Sequence, residues 1–169
     1  MKPKKIIITA ILLMSAGCFG SCAKSGNSDK NDADDFLPIR EKAVNTLTIG
    51  SNSFVLDAYL WRDFQPVSPP NGKPMISINW LVSTNLVKIP DNISMVKQYV
   101  TYKDKVWVTD YENEASDPSL PEYKLERTSR NGPEWGPDIH VDVISQIHDS
   151  QSNKDYYIKR EKVYVLRTD

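Results

Sequence analysis

Apolar and polar residues alternate along most of the chain beyond residue 46. In segment 54–60 the even positions hold Phe, Leu, Ala and Leu, and in segment 76–82 they hold Ile, Ile, Trp and Val. A period of two is typical of strands that bury one face. The alternation predicts buried side chains at the following positions: Phe54, Leu56, Ile76, Ile78, Trp80, Val141 and Val143.

Short apolar runs are separated by turn signals such as Gly50-Ser51-Asn52, Pro69-Pro70-Asn71-Gly72 and Asn131-Gly132-Pro133. The predicted strands fall in segments 54–60, 76–82, 95–102, 106–109, 123–128, 139–147, 156–159 and 163–167. A helical stripe of 12 or more residues is absent from the sequence, and only segment 36–44 favours a short helix.

The number and spacing of these strands predict an all-β fold. We expect an antiparallel immunoglobulin-like β-sandwich of about 7–9 strands over residues 45–169, and a small β-barrel is the alternative. Trp80, in the middle of its strand, fits the buried tryptophan of such sandwiches. The companion disulfide is missing, because residues 23–169 contain no cysteine.

The first 22 residues have the pattern of an export signal. Three lysines precede an apolar run at 6–14, and small residues with two cysteines follow. This run is shorter than the ~20 residues that a membrane-spanning helix needs. We therefore predict a lipoprotein signal at 1–22. Cys22 is the favoured acylated residue because cleavage there removes Cys18, which is the alternative.

Segment 23–44 is predicted to be a flexible acidic tether and lead-in, because residues 23–35 include no large apolar side chain. Without the three lysines of the leader, 18 of the 21 basic residues remain against 22 acidic residues, a net charge of −4. This balance argues against a nucleic-acid partner. The expected location is the outer membrane or cell surface, with the acylated cysteine in the lipid bilayer.

A search for catalytic chemistry finds little. The sequence lacks a G-x-S-x-G elbow, a glycine-rich phosphate loop, H-E-x-x-H and C-x-x-C. His140 and His148 lie eight residues apart in one predicted strand, too far to share a metal if it is straight. His140 and Asp142 face the same way, but a solvated strand face explains them better. We assign no catalytic residue, metal or cofactor and expect no enzyme.

Two proline-rich segments, 61–74 and 130–137, are candidate binding loops because prolines stiffen the backbone. The candidate residues are Arg62, Asp63, Phe64, Arg130 and Trp135. We expect both segments at one end of the fold, with an arginine paired across the gap to Asp63 or Glu134. The structural alternative makes Trp135 a cap on the core.

The leader, the acidic tether and a strand-rich domain with Trp61-Arg62-Asp63-Phe64 and Arg130-Asn131-Gly132-Pro133 resemble small lipoproteins of Bacteroidetes with an immunoglobulin-like domain. The resemblance implies no catalytic residues. The sequence thus favours a non-catalytic binding module for a glycan or an envelope protein. A loop-based proteinase inhibitor is the alternative, and a hydrolase is the weakest hypothesis.

Overall fold

The computed structural model describes residues 31–112 and 117–169, which form one helix and eight strands. The elements are α1 (Asn31–Lys42), β1 (Thr46–Ile49), β2 (Asn52–Asp63), β3 (Met75–Ser83), β4 (Ile93–Tyr102), β5 (Lys105–Asp110), β6 (Lys124–Gly132), β7 (Ile139–Asp149) and β8 (Lys154–Thr168). The predicted all-β class is confirmed. The predicted runs 156–159 and 163–167 are parts of one long strand, β8.

The eight strands belong to a single sheet with the order β5-β4-β7-β8-β2-β3-β6, and β1 pairs with the first four residues of β2. Most neighbours are antiparallel. The β2–β8 pair is parallel, with Leu60 opposite Val165 and Trp61 opposite Leu166. The sheet is therefore mixed, which the alternating pattern could not reveal because strand direction leaves no trace in side-chain periodicity.

The sheet curls until its two ends approach each other. The Glu112 amide, just after β5, donates a hydrogen bond of 2.9 Å to the Thr128 carbonyl on β6. A Cβ added at Gly132 on β6 would lie 2.7 Å from the Trp107 ring on β5. The fold thus has the character of a curled half-barrel with an inner face and an outer face.

Two apolar cores lie on opposite faces of this sheet. The main core fills the inside of the curl and includes Phe54, Leu60, Leu81, Val143 and Val165, all fully buried. A second core lies outside, where α1 packs on strands β4, β5, β7 and β8. Its buried members are Phe36, Ala43, Tyr99 and Ile144.

The predicted core positions are confirmed on β2 and β7 but wrong on β3. Phe54, Leu56, Val141 and Val143 are buried, whereas the even positions of β3 are only half-buried on the outer face. The odd positions of β3 face the inside of the curl. The structure thus corrects the prediction that Ile76, Ile78 and Trp80 belong to the core.

The helix begins earlier than the sequence predicted. α1 starts at Asn31 and ends at Lys42, while the apolar pattern suggested 36–44. Its first five residues belong to the predicted acidic tether. Tertiary contacts hold the helix, because the Phe36 ring lies 5.9 Å from the Tyr99 ring on β4.

Candidate functional site

Strand register gathers aromatic and aliphatic side chains on the outer face of β8, β2 and β3. Tyr59 is opposite Ile78, and Trp61 is opposite Ile76. Across the parallel pair, Trp61 is opposite Leu166, so Tyr164 comes beside Tyr59 on the same face. We call this surface the outer aromatic face: Tyr59, Trp61, Ile76, Ile78, Trp80, Tyr164 and Leu166.

Rings on this face remain accessible. Tyr59 is 40% exposed and Tyr164 is 42% exposed, while the two tryptophans are half-buried. The rings of Tyr59 and Trp61 lie 5.3 Å apart with an interplanar angle of 43°. Tyr164 lies 5.3 Å from the ring of His140 on β7. The face therefore carries several rings, continued across β7 by an imidazole.

Carboxylates fix the orientation of two of these rings. The Trp80 Nε1–H donates a hydrogen bond of 2.6 Å to Glu126 Oε2 on β6. The Tyr164 hydroxyl donates one of 2.6 Å to Asp138 Oδ1, and this bond raises the pKa of the Tyr164 hydroxyl. Rings held in this way lose little freedom when a ligand binds, so the face is preorganised.

The outer face differs between the two halves of the sheet. α1 covers the half that contains β4, β5, β7 and the first part of β8 at Tyr157, and burial there raises the pKa of Tyr99 to about 12. Within residues 31–112 and 117–169, α1 is the only helix, and its buried contacts are with that half. The outer aromatic face is thus the half without a helix packed on it.

Three carboxylates lie on the border of this face, together with Lys124 opposite Val82. Asp57 lies opposite Trp80 on the neighbouring strand, and Glu126 and Asp138 accept bonds from the rings themselves. With a net charge of −4 beyond the leader, this border disfavours a polyanionic ligand. A neutral ligand with hydroxyl groups suits it, because carboxylates accept hydrogen bonds from hydroxyls.

The two proline-rich segments lie together at one end of the fold, as the sequence predicted. Arg62 is 3% exposed and donates hydrogen bonds to four backbone carbonyls. In segment 61–74 its Nε bonds Lys73 O at 3.0 Å and its Nη2 bonds Asn71 O. In segment 130–137 its Nη1 bonds Glu134 O at 3.0 Å and Gly136 O at 2.8 Å.

These contacts make Arg62 an internal brace of the loops. The expected partners, the carboxylates of Asp63 and Glu134, are not its hydrogen-bond acceptors. Burial lowers the pKa of Arg62, and the charge of Glu134 acts in the opposite direction. The planar guanidinium has five N–H donors in fixed directions, and four carbonyl oxygens accept hydrogen bonds from it. The side chain of Arg62 therefore has a structural role.

Phe64 and Asp63 stiffen the same end. Two guanidinium groups pack on the Phe64 ring, with Arg167 at 4.1 Å and Arg62 at 5.1 Å from its centroid. A Cβ on Gly72 would approach that ring to 2.6 Å, so the ring packs directly on the loop. Asp63 forms an ion pair of 2.6 Å with Lys73 and accepts a hydrogen bond from the Gln65 amide.

The other two candidate loop residues, Arg130 and Trp135, have partners other than Arg62. Arg130 forms a surface ion pair of 3.2 Å with Glu112. Trp135 is half-buried against the main core, with its ring 6.1 Å from that of Tyr102. This placement favours the structural alternative for Trp135. Cys18 and Cys22 lie outside the described residues.

The histidines have ordinary partners or neighbours. His148 Nδ1 lies 2.8 Å from Asp155 Oδ1. The carboxylate of Asp142, which the sequence places on the same side of the strand as His140, accepts a hydrogen bond from the Lys162 amide. Across the described ranges, no three His, Cys, Asp or Glu residues are grouped as a metal would need. A helix long and apolar enough to cross a bilayer is likewise not found in that part of the chain.

Sequence reasoning assigned the β3 residues of this surface to the core and did not identify Tyr59 or Tyr164. The useful signal was the alternation of β3, whose other face holds Ser77, Asn79 and Ser83. When a strand is apolar on one side and polar on the other, the alternation predicts that the apolar side faces the core.

The sequence matches no family model, and neither a curated protein nor a solved structure is detectably similar to it.

Proposed function

We propose that this protein is a lipid-anchored module of the cell envelope or surface that binds a neutral glycan, without catalysis, on its outer aromatic face. The observation that carries the proposal is the set of accessible rings on the half of the sheet that lacks a helix. Accessible apolar patches on soluble domains are typical of interaction sites.

The chemistry of the face suits a sugar. Aromatic rings offer flat apolar surfaces with a polar edge, and the apolar face of a pyranose ring can stack on them. Asp57 and His140 lie beside the rings and are exposed, so they can form hydrogen bonds with hydroxyl groups. The acidic border supports a neutral glycan over an anionic one.

Native affinity electrophoresis tests this proposal. The gels contain a neutral glucan, mannan or xylan, and a parallel gel contains alginate as the anionic control. We expect at least one neutral polysaccharide to retard the wild-type protein and alginate to leave its mobility unchanged. Unchanged mobility in all three neutral gels would rule out the proposal.

Variants locate the binding surface. Trp61→Ala and Tyr59→Ser should weaken retention by about tenfold or more, because aromatic anchors dominate binding energy. Val67→Ser is the matched control, since Val67 is 86% exposed but lies on the loop after β2 and is not part of the outer aromatic face. Wild-type retention by Trp61→Ala would show that the face does not bind the glycan.

A proteinase inhibitor is the second candidate, and the braced loop 64–74 favours it. Val67 protrudes from a turn closed by the Ser68 amide and the Gln65 carbonyl at 2.7 Å. Arg62 holds the base of the same loop through Asn71 and Lys73. A rigid, protruding apolar residue fits a proteinase pocket at low entropic cost.

Assays of residual activity against serine proteinases of elastase-like specificity test this second candidate. If the second candidate is right, the wild-type protein inhibits the proteinase. The Val67→Ser variant should then lose this inhibition, and the Tyr59→Ser variant should keep it. The two candidates therefore predict opposite results from the same pair of variants.

A further inference from the structure

The strand register aligns side chains of the outer aromatic face in a row that runs across the strands. Ile78 on β3 lies opposite Tyr59 on β2, and Tyr164 on β8 lies opposite His140 on β7. The parallel register of β2 and β8 brings Tyr59 beside Tyr164. We call Ile78, Tyr59, Tyr164 and His140 the cross-strand row. It extends the outer aromatic face onto a fourth strand.

The cross-strand row is long enough to contact more than one sugar unit. It crosses three strand spacings of about 4.8 Å each, which gives a length of about 14 Å. The rings of Tyr164 and His140 are 5.3 Å apart, close to one such spacing. Tyr59, Tyr164 and His140 are exposed, and Ile78 is half-buried. A ligand can therefore reach the row along its whole length.

The two long edges of the row differ in polarity. On one edge, Trp61 lies opposite Ile76 on β3 and opposite Leu166 on β8. On the other edge, the exposed Asp57 lies opposite Trp80. A chain that lies on the row thus has apolar side chains along one side and a carboxylate that can accept bonds from its hydroxyl groups on the other.

The rings of this surface are not coplanar. The ring planes of Tyr164 and His140 differ by 60°, and those of Tyr59 and Trp61 differ by 43°. Neighbouring strands of a twisted sheet are also rotated by about 20–25°, so the row turns as it crosses the sheet. Tilted rings cannot all touch the flat surface of a crystalline polysaccharide. They can follow one chain in solution, because its sugar rings rotate about the glycosidic bonds.

We propose that the cross-strand row binds three or four consecutive units of a single soluble glycan chain, which lies across the strands. The length of the row, about one strand spacing for each unit, gives the number of units. The tilt of the rings favours a single chain over a packed surface. This inference rests on the proposed glycan binding and adds the length, the direction and the physical form of the ligand.

Isothermal titration calorimetry of the wild-type protein with oligosaccharides of one to six units tests the length. The oligosaccharides come from a neutral polysaccharide that retards the protein in the native gel, so the series begins with a chain that binds. We expect the dissociation constant to fall by about tenfold or more from two units to four. It should then stay level from four units to six, because the row is filled.

Sedimentation with the crystalline form of the same polysaccharide tests the physical form of the ligand. Most of the protein should stay in the supernatant, because only a few of the tilted rings can contact a flat surface at once. The soluble six-unit chain, at the same mass concentration, should saturate the protein.

The variant His140→Ala tests the direction, because His140 belongs to the row only if the chain crosses from β2 to β7. It should raise the dissociation constant of the six-unit chain by about fivefold or more. It should also shorten by one the number of units at which the affinity becomes level. His148→Ala is the matched control on the same strand and should bind as wild type does, since His148 is paired with Asp155 away from the row.

Equal affinity for two units and for six, complete sedimentation with the crystalline form, or wild-type affinity of His140→Ala for the six-unit chain would overturn this inference. Each of these results leaves glycan binding itself intact. A protein that no neutral polysaccharide retards would instead contradict the proposed function, so the two failures can be told apart.

Discussion

At the scale of single residues, the clearest feature is a buried charge that joins two loops. The sequence indicated that segments 61–74 and 130–137 would share one end, and that an arginine would link them. It could not indicate that Arg62 would use carbonyl oxygens, because backbone acceptors are identical at every position of the sequence. Residue type alone therefore suggested ligand binding where the structure has an internal brace.

Replacing this brace should destabilise the fold strongly. Arg62→Met keeps much of the side-chain volume but removes the donors to four carbonyls. We expect a loss of about 3 kcal/mol or more in the free energy of unfolding, measured by urea denaturation. Arg160→Met, at an exposed site, should cost less than about 1 kcal/mol. Equal effects of the two variants would contradict the role assigned to Arg62.

A second residue-scale prediction concerns pH. Asp149 accepts hydrogen bonds from Ser152, Asn92 and the Gln151 amide, and these lower its pKa below the ordinary value of 3.8. A carboxyl group with a lowered folded-state pKa stabilises the fold above its unfolded pKa, and this contribution is lost as the pH falls through the folded-state value.

Asp149→Asn should therefore lower the urea midpoint at neutral pH. The difference from wild type should shrink once the pH is well below 3.8, where the wild-type side chain becomes protonated as well. A difference that stays constant over this range would show that the charge of Asp149 does not stabilise the fold.

At the scale of elements, β3 shows how much strand periodicity can predict. The alternation identified the strand and its approximate bounds, since β3 covers Met75–Ser83 against the predicted 76–82. It assigned the wrong face to the core, because the inward positions include Ser77, Asn79 and Ser83. A strand whose inward positions are polar defeats the rule that the apolar side of a strand is the buried side.

Two apolar residues on opposite faces of β3 allow a direct test. Leu81 is fully buried and Ile78 is half-buried on the outer face. Leu81→Ala should cost about 3 kcal/mol, since it removes packed atoms and leaves a cavity. Ile78→Ala should cost about 1 kcal/mol because solvent already reaches that side chain. Chemical denaturation measures both values, and a larger loss for Ile78→Ala would reverse the assignment of the faces.

At the scale of the whole molecule, the all-β class followed from the sequence because eight short runs and their turns are local features. The order of the strands and the parallel β2–β8 pair did not follow. They depend on contacts between distant segments, such as Leu60 with Val165. The division of the outer face between α1 and the rings depends on the same long-range arrangement.

The lipid anchor remains a prediction of the sequence. Cys22→Ser should remove the acyl groups and move the protein from the membrane fraction to the soluble fraction, since the lipid supplies the membrane affinity. Intact mass spectrometry of the detergent extract measures the change. Cys18→Ser serves as the control and should leave both mass class and fractionation unchanged. The reverse pattern would assign the anchor to Cys18.

Hydroxyl-radical footprinting of the wild-type protein, with and without a neutral polysaccharide that retards it, tests the central claim most directly. The method reports the solvent accessibility of individual side chains in one sample. Protection at Tyr59, Trp61 and Tyr164, with no change at Phe64 or Val67, is the predicted result. Protection confined to segment 64–74, or no change at the rings, would contradict the assignment of glycan binding to the outer aromatic face.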